Sequence, residues 1–256
     1  MDRGSILGLG LFETMLAIDG VPIFVERHLA RLRSGCERLG WPLMLPDLHE
    51  IIGELLIRNG LGAGRARVRL AMTAGSGPID DLSLGNSPLL WIIALAVNEA
   101  PKKIEVNLAP WRRNEHSPLA GLKCASYAEN LVALDHARRM GFEETLFLNT
   151  AGHLCEGATA NLFIVKNGMV LTPSLESGCL PGITRAVVLE LADRYRIVRQ
   201  ECVLTPDDLH SADEIFLTSS IRGLESVSRV GDQAYHDCSV ANRLRQYWKA
   251  EIERKS

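Results

Sequence analysis

The sequence predicts a mixed α/β (α+β) protein built as two compact halves, and three observations carry that expectation. Runs with helical spacing alternate with β-branched, alternating runs along the whole chain. At 256 residues the chain is long enough for one large domain or two smaller ones. The periodicity breaks at residues 109–121, "APWRRNEHSPLAG", where prolines, a glycine and a charge cluster gather. This break divides the chain into a small N-terminal α/β domain at 1–110, a linker at 111–121 and a larger α/β domain at 122–256.

Each element follows from a local pattern. In "ERHLARLRSGCERLG" (26–40), Leu29, Leu32, Cys36 and Leu39 fall at helical spacing and Gly40 supplies the stop. "PDLHEIIGELLIRNG" (46–60) repeats the pattern. "RARVRLAMT" and "PLLWIIALAV" alternate apolar and β-branched residues and read as strands. After the break, a helix is expected at 127–140. A hairpin is expected in "ETLFLNTAGHLCEG", turning at Thr150-Ala151-Gly152-His153. Strands follow at 161–165 and 169–172, and a helix opens at Ile183, just after "LPG". The tail "DCSVANRLRQYWKAEIERK" is an amphipathic, charged helix. The sequence carries no internal repeat and no low-complexity tract.

Composition removes several function classes. Hydrophobic residues make up 46% and charged ones 23%, which suits a folded globular protein. The net charge of −3, with Lys and Arg spread along the chain, gives no basic stripe for a nucleic acid backbone. Cys36, Cys124, Cys155, Cys179, Cys202 and Cys238 show no zinc-ligand spacing, so no metal is expected, and they read as reduced core thiols. "MDRGSILGLG" has no signal-peptide pattern and no apolar run approaches membrane-spanning length, so the expected location is the cytoplasm, with no membrane partner.

Four features carry chemistry, and each is weak alone. Lys123, in "AGLKCASYAEN", sits among small apolar residues before a helix. A lysine attacks carbonyls only as the neutral amine, which such surroundings favour, yet a lone lysine is ordinarily a solvated ammonium. Glu156 precedes a Gly-Ala-Thr run that enters a strand; a buried carboxylate there needs a partner, and an exposed hairpin glutamate does not. In "GCLPGITRAVVLELA" the amides of Ile183 and Thr184 open a helix and offer an anion site, as any helix start does. Arg31 follows His28 on the first long helix, where most arginines are solvated. Together they describe one ligand: a phosphate held by an arginine and a helix start, an aldehyde for a lysine, and a ring nitrogen for a carboxylate. Pyridoxal 5′-phosphate fits all four.

The residues resemble the class IV (fold type IV) pyridoxal-phosphate enzymes, the group of branched-chain and D-amino acid aminotransferases and 4-amino-4-deoxychorismate lyase. The resemblance runs through "DRG" (2–4), "GLFET" (10–14), "ERHLARL" (26–32), "SPLAGLK" (117–123), "EGATANLF" (156–163), "LPGITR" (180–185) and "FLTSSIRGLESV" (216–227). It implies a small N-terminal domain, a larger domain with a barrel-like sheet, an active site between them, and a homodimer. By position it implies that Lys123 bonds to the cofactor's aldehyde and that Glu156 faces the pyridine nitrogen. Arg31, the amides of Ile183 and Thr184 and the hydroxyl of Ser220 would bind phosphate. Tyr127 and Asn161 lie in matching segments and would shape the cofactor pocket, where ordinary packing and turn bonding explain them equally well.

"RNEHSPLAGLK" and "FLTSSIRGLESV" resemble the aminodeoxychorismate lyases more than the Thr-rich loops of the aminotransferases. The implied reaction is therefore conversion of 4-amino-4-deoxychorismate to 4-aminobenzoate and pyruvate, a folate precursor step, with amino acid transamination as the alternative. Three departures stand out. The chain starts at "DRG", without the strand and Asn-Gly turn usual before it, so the N-terminal sheet is expected to lose an edge if nothing precedes. Leu9 stands where the family pattern has aspartate. Ala74 stands where some relatives carry an arginine, which leaves Arg112, Arg113 or Arg222 to bind a substrate carboxylate; each is equally well a solvated loop arginine.

Overall fold

The computed structural model describes residues 1–42, 45–101 and 103–254. They form two compact units, one comprising Met1–Glu99, Leu122–Tyr127 and the chain's end from Ile252, the other Ala100–Gly121 and Ala128–Glu251.

The first unit opens with a short helix, α1 (Arg3–Leu7), capped by the Asp2 carboxylate, which accepts the Gly4 and Ser5 amides. The Arg3 side chain is buried and donates to the carbonyls of Ala74, Gly75, Asp81 and Ser83, so "DRG" organises a loop some seventy residues away. Strands β1 (Gly10–Ile18) and β2 (Val21–Pro22) precede helices α2 (Val25–Arg38) and α3 (Leu48–Arg58), and β3 (Arg65–Thr73) and β4 (Leu90–Ala96) follow. The strands pair antiparallel in the order β2-β1-β3-β4. Side chains alternate across a strand, so Leu11, Met15, Val68 and Leu70 share one face and pack against Leu29, Leu32, Cys36, Ile52 and Leu56 of the two helices. Both helices expected at 26–40 and 46–60 are present, as are the two expected strands. β1 had no periodic signal of its own because residues of both faces are buried.

The second unit begins with β5 (Lys103–Arg113), then α4 (Ala128–Arg139), β6 (Glu144–Asn149), β7 (Leu154–Gly157), β8 (Asn161–Lys166) and β9 (Met169–Pro173). After these come α5 (Ile183–Arg194), β10 (Arg199–Cys202), α6 (Pro206–His210), β11 (Glu214–Ser219), β12 (Gly223–Val230), β13 (Gln233–Ala234) and α7 (Ser239–Glu253). Nine strands form one sheet in the order β10-β9-β8-β11-β12-β5-β6-β7, with β13 added to β12. The β10-β9, β12-β5 and β5-β6 pairs are parallel and the rest antiparallel. The expected hairpin turns where predicted, with the Asn149 amide on the His153 carbonyl and Gly152 at φ 83°. The tail helix is present as α7; Lys255, the last residue of that expectation, lies outside the described residues.

The division of the chain differs from the expected one. The second unit starts at Ala100, not after a linker at 111–121, because β5 pairs with β12 over Lys103–Val106 and with β6 from Val106 through Arg113. Residues 122–127 belong to the first unit instead of opening the second. The Phe12 amide donates to the Lys123 carbonyl at 2.9 Å and the Ala125 amide to the Gly10 carbonyl at 2.8 Å, so this segment pairs with β1 like a short extra strand. Backbone hydrogen bonds to a distant strand leave no trace in local composition, and the Pro/Gly-rich break disguised both facts.

Candidate active site

In the first unit, Lys123 is placed by the pairing just described. Leu11 lies opposite Cys124, and Leu122 and Cys124 pack on the helix-side core. Lys123 therefore takes the other face, with Phe12. Its Nζ lies 4.4 Å from the centre of the buried Phe12 ring and 5.7 Å from that of Tyr127. The two rings meet edge to face at 5.3 Å. Tyr127 is thus a wall of the lysine's surroundings. The Arg69 guanidinium also lies over the Phe12 ring, at 3.8 Å. Burial lowers the pKa of Arg69 and the neighbouring Arg67 adds to this, while Tyr127 opposes it. A desolvated guanidinium beside another cation is a receptive place for an incoming carboxylate.

Arg31 is held from below. The Glu13 carboxylate is 1% exposed on an otherwise apolar strand face, and it accepts Arg31 Nε at 2.8 Å and Nη2 at 2.6 Å. Its second oxygen also meets His28 Nδ1 at 2.7 Å. Burial opposes the charge on Glu13, but the Arg31 and His28 contacts outweigh it and hold the carboxyl at about 2. An ionised carboxylate only accepts, so His28 Nδ1 carries the proton. Burial pulls the His28 pKa below its ordinary value against the opposing pull of Glu13, and the positive charges of Arg31 and Lys123 add to the lowering.

In the second unit, Glu156 is buried at the end of β7, and its Oε2 accepts the Leu180 amide at 3.0 Å and, more loosely, Asn161 Nδ2 at 3.4 Å. Asn161 Nδ2 also donates to the Leu180 carbonyl at 2.8 Å. Glu156, Asn161 and the "LPG" turn are therefore one hydrogen-bonded unit. Gly182 is required beside it, because a Cβ there would stand 1.9 Å from Asn161 Oδ1. Gly182 is also the N-cap of α5 and offers no side chain, so the amides of Ile183 and Thr184 open the helix without a side-chain cap. Arg185, buried, ties that helix start to the Pro173 carbonyl and to Glu201. Thr218 lies opposite Asn161 in the β8–β11 register, and its buried hydroxyl has no hydrogen-bond partner among the described residues. Two residues on, Ser220 lies in the turn between β11 and β12. Uncapped amides at a helix start are the chemistry a phosphate dianion needs. Burial and the nearby Glu156 charge push the Cys179 thiol up to about 11, so it stays protonated.

The three arginines expected at a substrate carboxylate differ. Arg112 is exposed. Arg113 lies over the Phe147 ring at 4.4 Å and contacts Glu129 and Asn130. Arg222 is matched inside the second unit by the buried Glu144 and Glu225, which leaves its charge already neutralised. Sequence reasoning missed Glu13, His28 and Arg69. The signals were a glutamate interrupting the apolar face of "LFETM" and the alternating arginines of "RARVR". Among the described residues no His/Cys/Asp/Glu cluster suits a metal, and no helix is long and apolar enough to cross a membrane.

The family described as "Amino-transferase class IV" matches residues 10–230. The branched-chain-amino-acid aminotransferase of Salmonella typhimurium is 29% identical over 245 residues, 90% of this chain and 79% of that protein. The aminodeoxychorismate lyase of Bacillus subtilis is 27% identical over 259 residues, 98% of this chain and 88% of that protein. The crystal structure of 4-amino-4-deoxychorismate lyase from Pseudomonas aeruginosa superposes with a TM-score of 0.83 at 29% identity, covering 98% of this chain and 94% of that one.

Proposed function

Since the chain belongs to the class IV aminotransferase family, with the two-unit fold type IV architecture, we propose that it is a pyridoxal-phosphate lyase that converts 4-amino-4-deoxychorismate to 4-aminobenzoate and pyruvate. The cofactor is pyridoxal 5′-phosphate, and bound it supplies an electron sink for the pair released when a bond to the amine-bearing carbon breaks. The observation that carries the reading is Lys123, whose amine is held over the Phe12 ring beside Tyr127 and Arg69. As nucleophile and base the lysine acts through its neutral amine.

The chain's own groups then divide the work. Lys123 anchors the cofactor, yields to the substrate amine, and takes the proton from the amine-bearing ring carbon. Glu156, fixed by the Leu180 amide, faces the pyridine nitrogen and keeps it protonated. Arg31, oriented by Glu13, and the donors of Ile183, Thr184 and Ser220 hold the phosphate. Arg69 receives a carboxylate of the substrate, a role for which it is better placed than Arg222. Loss of the proton and of the neighbouring enolpyruvyl group makes the ring aromatic, and the departing group picks up a proton to leave as pyruvate. The lyase is favoured by the segments around Lys123 and Ser220 and by the end-to-end match to the Bacillus enzyme. The same reading carries a cytoplasmic homodimer feeding folate synthesis.

Transamination is the second reading, favoured by the 29% identity to the Salmonella aminotransferase. Supplying chorismate, glutamine and an aminodeoxychorismate synthase, and measuring 4-aminobenzoate, separates the two. The lyase yields 4-aminobenzoate and equimolar pyruvate. No 4-aminobenzoate, together with an amino acid converting the bound cofactor to its amine form, establishes the aminotransferase instead.

A further inference from the structure

Two buried carboxylates converge on one guanidinium in the second unit. Glu144, at the start of β6, is 0% exposed. Its Oε1 accepts the Thr145 amide at 3.1 Å and the Ala158 amide at 3.0 Å, and its Oε2 accepts the Thr159 hydroxyl and Arg222 Nη2, the latter at 3.1 Å. The same Nη2 lies 3.0 Å from Thr159 Oγ1. Arg222 Nε lies 2.7 Å from Oε2 of the buried Glu225, close enough for an ion pair although the N–H does not line up with the oxygen. The Arg222 amide in turn donates to Ser219 Oγ at 3.3 Å, and the Ala158 carbonyl accepts Asn130 Nδ2 at 2.7 Å.

A buried ion pair adds little net stability, because desolvation cancels most of the attraction; what it fixes is geometry. Here the geometry joins two particular segments. Ala158 and Thr159, both bonded to Glu144, belong to the loop 157–160 that directly follows Glu156, and Arg222 belongs to the turn that carries Ser220. The strand after the loop, β8, and the strand before the turn, β11, are paired up to Asn161 and Thr218, but the β8–β11 ladder does not extend to the loop and the turn themselves. We propose that Arg222 is a positioning residue that, through Glu144, latches the Ser220 turn to the Glu156 loop, so that the segments contacting the cofactor's phosphate and ring keep one arrangement. This rests on the reading that Ser220 and Glu156 bind pyridoxal phosphate. It also gives Arg222 a task other than the substrate contact expected for it.

The test is a titration of the full chain, freed of cofactor, with pyridoxal 5′-phosphate, followed by absorbance. It is run for the parent, Arg222→Met, Arg222→Lys, Glu144→Gln and the double variant Arg222→Met/Glu144→Gln. The latch predicts that each Met or Gln change weakens cofactor binding by roughly tenfold or more. It predicts that the double variant is no weaker than the worse single one, because both remove one link. Arg222→Lys, which keeps the charge, should recover part of the affinity. Should Arg222→Met fail to fold, the Lys and Gln variants decide by the same criterion. Unchanged affinity in folded variants, or effects that simply multiply, overturns the latch while leaving the cofactor reading intact. A parent chain that binds no pyridoxal phosphate overturns the reading and the latch together.

Discussion

Glu13 shows how a single buried charge is stabilised and what it then controls. Its carboxyl, held at about 2 against an ordinary 4.5, stabilises the fold above pH 4.5, and that stability is lost as pH falls through about 2. The shift corresponds to ~3 kcal/mol. Glu13→Gln should therefore lower the urea midpoint at neutral pH and flatten its decline below pH 4; an equally steep acid decline would remove Glu13 as its source. The same change should weaken cofactor binding, since Arg31 loses its orienting partner. Glu225 works in the opposite sense. Burial, helped by Glu144 and Glu143 and opposed by Arg222 and Arg245, pushes its carboxyl up to about 7. Its contribution is full below pH 4.5 and lost as pH rises through about 7. Glu225→Gln should thus make urea midpoints at pH 5 and pH 8 more alike than they are in the parent, and a preserved difference would contradict the assignment.

At the scale of elements, the start of α5 concentrates the argument. Gly182 has an ordinary φ of −68°, so its requirement is purely steric: a Cβ would stand 1.9 Å from Asn161 Oδ1. Gly182→Ala is expected to cost about 1–3 kcal/mol of stability and to weaken cofactor binding, because the Asn161–Leu180–Glu156 bonds must part. A variant with the parent's melting temperature and affinity would show that the turn yields freely. Helices were legible wherever one face was apolar, as in α2, and the "LPG" signal placed the start of α5 at Ile183. β1 and β5 were not, because both faces of β1 are buried and β5 carries Pro110 and paired arginines that read as a break. The candidate residues Lys123, Glu156 and Asn161 could be found from their segments. The supports were less legible: Glu13 beneath Arg31 left only its place on the apolar face of "LFETM", and Glu144 beneath the 157–160 loop left no signal, since a glutamate's burial depends on residues distant in sequence.

Across the whole molecule, the chain distributes the chemistry between its two units. The lysine is carried by the first unit, through backbone pairing of 122–127 with β1, and Glu156, the carboxylate proposed to face the ring, by the second. A periodicity reading sees two halves in succession, whereas hydrogen bonding returns six residues to the first unit after the second has begun. The amine so placed is the account's centre. Lys123→Ala should leave a folded protein with turnover reduced by roughly 10³-fold or more. The most direct test is borohydride reduction of the cofactor-loaded protein followed by peptide mass mapping. The account predicts a single phosphopyridoxyl adduct on Lys123 and none on Lys123→Ala. An adduct on another lysine, or none at all, would contradict it.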